Sequence, residues 1–419
     1  MPRQDDSRPR VLLLMTTTTY RAHDFLAAAR QIGVDVVIGS DQPQALAALA
    51  PGKTLVLDFL HADDGAQTIV DFATERPLTA IVAVDDDGAL AAAIASEKLA
   101  LSHNSVASVR AARNKHRTRQ ILAQAGLPSP RFWCVPSDVN PAQVAPEISF
   151  PCVLKPLFLS ASRGVIRADT PVQFVAAFQR LCALLQLPEV AARGGALAQQ
   201  ILIETFIPGQ EVALEGLLIR GELHVLALFD KPDPLDGPFF EETLYVTPSR
   251  LPATVQQAVA TCTAQTARAL GLREGPLHAE LRVNNAGPWV LEVAARSIGG
   301  LCSRTLRFGA GVSLEALILH QALGRDPTAY ERETLASGVM MLPIPHRGLL
   351  HAVRGQELAK QIPGIEALDL TIPLGHEVIP LPEGSRYLGF LFARAETPEQ
   401  VEASLRAAYQ QLAFDITPS

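Results

Sequence analysis

After Arg10, residues Val11-Leu-Leu-Leu-Met15 form an unbroken apolar run that ends in four threonines, followed by Tyr20 and Arg21. A strand apolar on both sides cannot rest on a half-solvated sheet, so the run predicts a parallel strand covered on both faces, with the threonines as its terminal loop. Helical spacing over residues 22–32 stops at Gly33, and a second apolar run at 34–38 closes on Gly39-Ser40-Asp41. Residues 55–59 and 80–84 read as two further strands, with helical stretches at 66–74 and 89–98. This alternation predicts an open, doubly wound sheet of Rossmann-like type over residues 1–105. The loop at 16–21 holds no G-x-G-x-x-G, which argues against a dinucleotide. It is either a seat for a small anionic substrate, through its hydroxyls and a helix N-terminus, or a polar surface loop.

A chain of 419 residues with 48% apolar content fills several cores, so two or three domains are expected. Its net charge of −7 speaks against nucleic acid as a partner, and cations for any anionic ligand must be placed locally. The five cysteines are scattered without a C-x-x-C pair, which fits a reduced, cytoplasmic protein. The polar first ten residues do not resemble a signal peptide, and the alanine-rich run at 89–95 is too short to span a bilayer. No membrane partner is expected.

Further on, a basic helix is predicted over 109–125, ending at Gly126 and the turn Pro128-Ser-Pro130. Strands are predicted at 152–155, 201–205, 211–219 and 223–229, with a helix at 173–185 and surface loops at 140–146 and 186–195. A mixed segment follows residue 330, with strands at 339–344, 364–372 and 388–394 and a helix at 398–412.

The chemistry sits in charges with informative settings. Lys155 ends the apolar run Pro151-Cys-Val-Leu and precedes Ser160-Ala-Ser-Arg-Gly164. An ammonium is seldom buried without a partner, and a bound phosphate would supply one; the alternative is a lysine reaching solvent at a strand end. Lys115, in Arg113-Asn-Lys-His-Arg117, draws its interest from standing ahead of that strand. In Glu204-Thr-Phe-Ile-Pro-Gly209-Gln-Glu211 a Pro-Gly turn joins two strands, exposing peptide groups of Thr205, Phe206 and Ile207 to the edge of a planar base, with Glu211 placed for ribose hydroxyls. His278-Ala-Glu280-Leu-Arg282 and Trp289-Val-Leu-Glu292 read as paired antiparallel strands with Glu280 opposite Glu292. Facing carboxylates repel unless a cation lies between them: magnesium with phosphate oxygens, or a salt-bridge network with Arg282 and Arg296.

In this order the segments resemble the ATP-grasp superfamily over about residues 10–415. The resemblance implies an ATP-grasp fold, α/β with α+β character in the ATP domain. Its domains would be 1–105, an ATP-grasp domain over 106–330 (small lobe about 130–207, large lobe about 208–330) and a C-terminal segment over 331–419 packing on the large lobe. It implies ATP and Mg2+ (or Mn2+) as cofactors. Lys115, Lys155, Ser160, Ser162, Gly164, Glu204, Thr205, Phe206, Ile207 and Glu211 would meet the nucleotide, and Glu280 and Glu292 the metal. Two departures stand out: residues 157–165 hold only Gly164 where the phosphate-covering loop is usually glycine-rich, and Ala294 replaces the asparagine of Glu-x-Asn. Glu292-Val-Ala-Ala-Arg296 after His278-x-Glu280, with Phe239-Phe-Glu-Glu242 and the C-terminal segment, is similar to L-amino-acid ligases.

The activity implied is ATP-dependent joining of a small carboxylate and an amine through an acyl phosphate, with Arg296 on the reacting carboxylate and His278 either on the oxyanion or an ordinary strand histidine. Lys231 is a lesser phosphate candidate. Specificity is expected in Tyr20, Phe158, Phe239, Phe240 and the loop after Arg296, and the assembly expected is a homodimer. The alternatives are a carboxylase or formyl-transferring relative, or a nucleotide-binding protein without ligase turnover.

Overall fold

The computed structural model describes residues 8–44, 52–309, 311–327 and 331–418; residues 1–7 and the boundary expected at 330 lie outside the described residues. Arg10–Leu14 forms one of the two interior strands of a four-stranded parallel sheet, flanked by Asp35–Ser40 and Ala80–Ala83, with Thr54–Val56 at one edge. Val11 and Leu13 face one core with Phe25, while Leu12 and Leu14 face another with Ala66, Ile69 and Ala91. Covering on both faces is the reason Val11 to Leu14 carry no polar side chain.

The basic stretch is not one helix. Asn114 adopts an extended conformation and divides it into Val106–Arg113 and Lys115–Gln124, and its side chain accepts a hydrogen bond from the Arg117 amide. Asparagine competes with the helix for backbone donors and is favoured as an N-cap, so it starts a new helix instead of continuing the old one. Lys115 thereby begins a helix, and its amide donates to the Leu157 carbonyl at 3.0 Å.

Four antiparallel strands follow, in the order Phe132–Pro136, Gln200–Thr205, Cys152–Pro156 and Ile166–Ala168, backed by helix Pro171–Leu185. The stretches expected as loops around it are partly helical. Pro141–Val144 and Pro188–Gly194 each begin with proline, whose fixed φ suits a first helical position.

A larger sheet of eight strands runs Gly287–Ala294, Gly275–Asn284, Gln210–Ile219, Glu222–Asp230, Leu244–Thr247, Ala336–Leu342, Gly389–Ala395 and Ile365–Leu370. Its last three strands come from the C-terminal segment, which also forms a three-stranded sheet of Glu377–Val378, Gly348–Arg354 and Ala413–Pro418. One core joins Val11 and Leu13 of the first sheet to Ala213 and Leu217 and to Val339 and Phe390 of the eight-stranded one. No single described helix is long and apolar enough to cross a membrane, and all five cysteines are free.

Gly209, between the four-stranded antiparallel sheet and the eight-stranded sheet, has φ +130°, and a Cβ there would meet the Val283 carbonyl well inside contact distance. Gly209→Ala is expected to lower the urea midpoint by an amount corresponding to about 1–3 kcal/mol; an unchanged midpoint would show that the turn relaxes freely.

Candidate active site

A cavity of about 830 Å³ opens where the three sheets converge, lined by Tyr20 and Asp85 from the first, Lys155 and Glu204 from the second, and Glu280 and Tyr387 from the third. Lys115, Thr205, Phe206, Ile207, Glu211, His278, Glu292 and Arg296 reach it as well, so the structure gathers sequence-distant candidates in one place.

Glu204 anchors the inner wall. Its carboxylate accepts from Arg119 Nε at 2.6 Å and Nη2 at 3.3 Å, and pairs with Lys155 Nζ at 2.7 Å. Burial alone would raise this carboxyl, but the Arg119 and Lys155 charges overcome that and hold it at about 2. Burial also lowers the Lys155 ammonium against the pull of Glu204. The lysine therefore has a protein partner, and its burial by itself does not require a phosphate. Arg119, 1% exposed, also donates to the Val290 and Leu291 carbonyls, so one guanidinium ties the small sheet to the large one. It was missed in the sequence, although it stands one helical turn after Lys115, on the same face.

Lys115 Nζ donates to the Leu159 carbonyl at 2.7 Å and to Glu292 at 3.1 Å. Ser160 and Ser162 line the cavity, and Ala161 and Ser162 hold positive φ of 55° and 54°. Gly164 does not line it. Its amide binds the Pro382 carbonyl, and a Cβ there would strike Leu184 and Leu181, so the glycine serves packing.

Past Glu204, the Thr205 amide binds the Arg131 carbonyl and the Phe206 amide binds the Pro151 carbonyl, while the Ile207 carbonyl accepts from Arg282. Among the described hydrogen bonds, the Phe206 carbonyl and the Ile207 amide have no partner. Phe206 lies between the guanidinium groups of Arg167 and Arg282, 4.1 Å and 4.7 Å from its ring centroid. Glu211 is not the free acceptor expected: one carboxylate oxygen binds Lys231 at 2.8 Å and the other Arg282 at 3.1 Å. Each oxygen keeps one lone pair.

Lys231 is not a turn lysine reaching solvent: it is buried and its ammonium is engaged by carboxylates. Glu211, Glu242 and Glu280 place oxygens within 4.8 Å of one another, and the Lys231 ammonium bonds Glu211 and Glu242 and lies 3.7 Å from Glu280. Burial opposes this charge, but the three carboxylates hold its pKa above the ordinary value. An internal ammonium therefore occupies this nest of acids. Glu242, quoted above only as part of a motif, also accepts from Tyr245 Oη at 2.8 Å; burial and the Glu280 charge raise its carboxyl.

Glu280 and Glu292 are cross-strand partners, as the alternation predicts, with a bulge just after Glu280. Their side chains are 25% and 34% exposed, the accessibility a ligand needs. Two facing carboxylates on the cavity wall are a donor set that suits a hard divalent cation. Ala294 stands across from His278 and contributes no oxygen. His278 Nδ1 lies 3.1 Å from Glu215 and Nε2 3.5 Å from Glu280. Burial disfavours its charge, yet the two carboxylates push it up to about 9, so the ring is a cation at neutral pH. Arg296 is held by Asp86 at 3.0 Å and bonds the Ser297 carbonyl.

In the threonine loop the Thr16 amide and the Thr19 hydroxyl donate to Asp85, and the Thr17 amide donates to Asp41, so three of its donors face carboxylates where an anion seat would keep them open. Of the expected specificity residues, Tyr20, Phe240 and the stretch Ile298-Gly-Gly300 line the cavity, while Phe158 and Phe239 do not.

The family models that match the chain are the ATP-grasp domain over residues 148–305 and the L-amino acid ligase C-terminal domain 2 over 340–417. A D-alanine–D-alanine ligase of Aromatoleum aromaticum is 31% identical over 211 residues, half of this chain and 64% of that one. An alanine–anticapsin ligase of Bacillus subtilis is 25% identical over 54% of this chain and 50% of its own length. The chain thus spans about half the length of such curated relatives. Among solved structures, an L-amino acid ligase from Bacillus licheniformis superposes with a TM-score of 0.79 at 24% identity, covering 98% of this chain and 99% of the other. A carboxyaminoimidazole ribonucleotide synthase from Aspergillus clavatus, complexed with ATP, gives 0.71 at 16% identity over 96% and 98%. Both superpositions cover nearly the whole chain and agree with the ATP-grasp match over residues 148–305 on the fold.

Glu204→Gln leaves two buried cations without a counter-charge, and a loss of about 3–5 kcal/mol is expected. Because the folded carboxyl sits at about 2 against an ordinary 4.5, its stabilisation is complete above pH 4.5 and fades as pH falls towards 2. The difference in urea midpoint between wild type and variant should shrink across that window; a constant difference would contradict the assignment.

Proposed function

The chain is an ATP-grasp protein, an ATP-grasp domain joined to an L-amino acid ligase C-terminal domain, and from that premise we propose that it couples the carboxylate of one amino acid to the amine of another at the expense of ATP. The observation that carries this reading is the convergence of Lys115, Lys155, Glu280, Glu292 and Arg296 on one cavity.

The free Phe206 carbonyl and Ile207 amide offer an acceptor and a donor to the edge of the adenine, beside the Phe206 ring. Lys115 and Lys155 hold the phosphates; an ammonium about 4 Å from a phosphate charge contributes roughly 4 kcal/mol at an effective dielectric near 20. Glu280 and Glu292 would hold Mg2+, which would neutralise charge on the transferring phosphoryl group. The substrate carboxylate oxygen attacks the γ-phosphorus while the bond to the ADP oxygen breaks. The amine then attacks the acyl carbon, expels phosphate and loses a proton. Arg296 orients the carboxylate with its fork, and cationic His278 faces the charge that develops on the acyl oxygen. Closure of residues 157–165 keeps water from the acyl phosphate.

ADP release that requires two amino acids together is the expected result of a pairwise panel. If no pair stimulates release, the substrate assignment fails, and dependence on bicarbonate or formate would favour the carboxylase-type alternative. Glu292→Gln should retain the wild-type circular dichroism spectrum and lose at least about 100-fold in magnesium-dependent turnover; full turnover would remove Glu292 from the metal site.

A further inference from the structure

Eight lysines and arginines line the cavity, and seven of them are already neutralised within the protein. Lys115 pairs with Glu292, Lys155 with Glu204, Arg282 with Glu211 and Arg296 with Asp86. Arg21, Arg163 and Arg193 pair with Glu315, Glu189 and Asp87. Arg386 differs: among the described residues no carboxylate lies within ion-pair distance of it. Its guanidinium is nevertheless positioned. Nε donates to Tyr20 Oη at 3.1 Å, Nη2 donates to the Thr371 carbonyl at 3.0 Å, and the group lies 5.9 Å from the centroid of the Tyr20 ring. Nη1 has no acceptor among the described residues.

Neutral partners hold this arginine in place without cancelling its charge, which is what a receptor for an incoming anion requires. Its location selects the anion. Lys115 and Lys155 belong to the nucleotide wall, whereas Arg386 sits on the wall built by Tyr20, Tyr387 and Phe390, whose rings pack edge to face at 5.9 Å and 6.0 Å. The segment that carries it is itself fixed. Pro382 accepts from the Gly164 amide, and Glu383 pairs with both Arg180 Nε and Nη2 at 2.5 Å and 2.9 Å.

We propose that Arg386 is a specificity-determining residue that binds the free carboxylate of the amine-donating substrate. The ligase reading then gains the group that its acceptor must carry: an acid group on the amine is what this wall selects, and a simple amine is a poor substrate. This rests on the proposed ligase activity, and the test separates the two.

The amine donor is offered to wild type and Arg386→Gln either as a free amino acid or as its carboxamide, at fixed ATP and acyl donor. In wild type the KM for the free acid should be at least about tenfold below that for the carboxamide. In the variant the two should converge, with the KM for ATP unchanged, and Arg386→Lys should restore part of the difference. A raised KM for ATP, or a preference for the acid that survives Arg386→Gln, would overturn the proposal. Dipeptides and their C-terminal amides, titrated calorimetrically with MgADP present, give a reading without turnover, because the only free carboxylate of a dipeptide comes from the amine side. A free-acid preference that Arg386→Gln abolishes supports the proposal even if no ADP is released, and that combination counts against the ligase reading alone. No preference in wild type overturns the Arg386 assignment.

Discussion

The contact on which the site depends is the buried carboxylate of Glu204 between Arg119 and Lys155. None of the three charges is tolerable alone at this depth, because desolvating an unpaired ion is costly. Together they fix a strand of the small sheet, the helix that begins at Lys115 and, through the carbonyls of Val290 and Leu291, the edge strand that carries Glu292. The relative placement of Lys115 and Lys155, proposed for phosphate, and of Glu280 and Glu292, proposed for metal, thus follows from one guanidinium and its partner. The same principle recurs at Lys231, where an internal ammonium keeps three carboxylates together beside the cavity.

The parts of this arrangement legible in the sequence were those written in local pattern. The apolar run at Arg10–Leu14 admits one environment, and the alternation around His278 and Glu292 fixes which residues share a face and which stand opposite. Lys155 at the end of its strand was equally readable as a buried charge. Its counter-ion was not, because Glu204 pairs with it across an antiparallel ladder whose register no short motif encodes. The protein partners of Glu204 and Glu211 were therefore not visible in the local pattern, although both residues reach the cavity.

The misreading of residues 109–125 had a different origin. Periodicity runs through Asn114 without a break, and only the competition of its side chain for backbone donors marks the division. The threonine loop shows the same limit. Hydroxyl-rich sequence is consistent with an anion seat, and the pairing of its donors with Asp85 and Asp41, distant in the chain, is not written in it.

The C-terminal strands are paired directly onto Leu244–Thr247, within the sheet that also carries Glu280 and Glu292. This makes the boundary between the strands up to Leu244–Thr247 and the C-terminal segment a row of backbone hydrogen bonds, where a linker would leave the two free to separate. Cutting the chain there would expose an edge strand and the apolar side chains of Leu244 and Val246, both buried in the C-terminal core, and such edges recruit other strands. For anyone dividing or recombining this molecule, the covalent junctions are poor guides to its separable units; the sheet has to be kept whole.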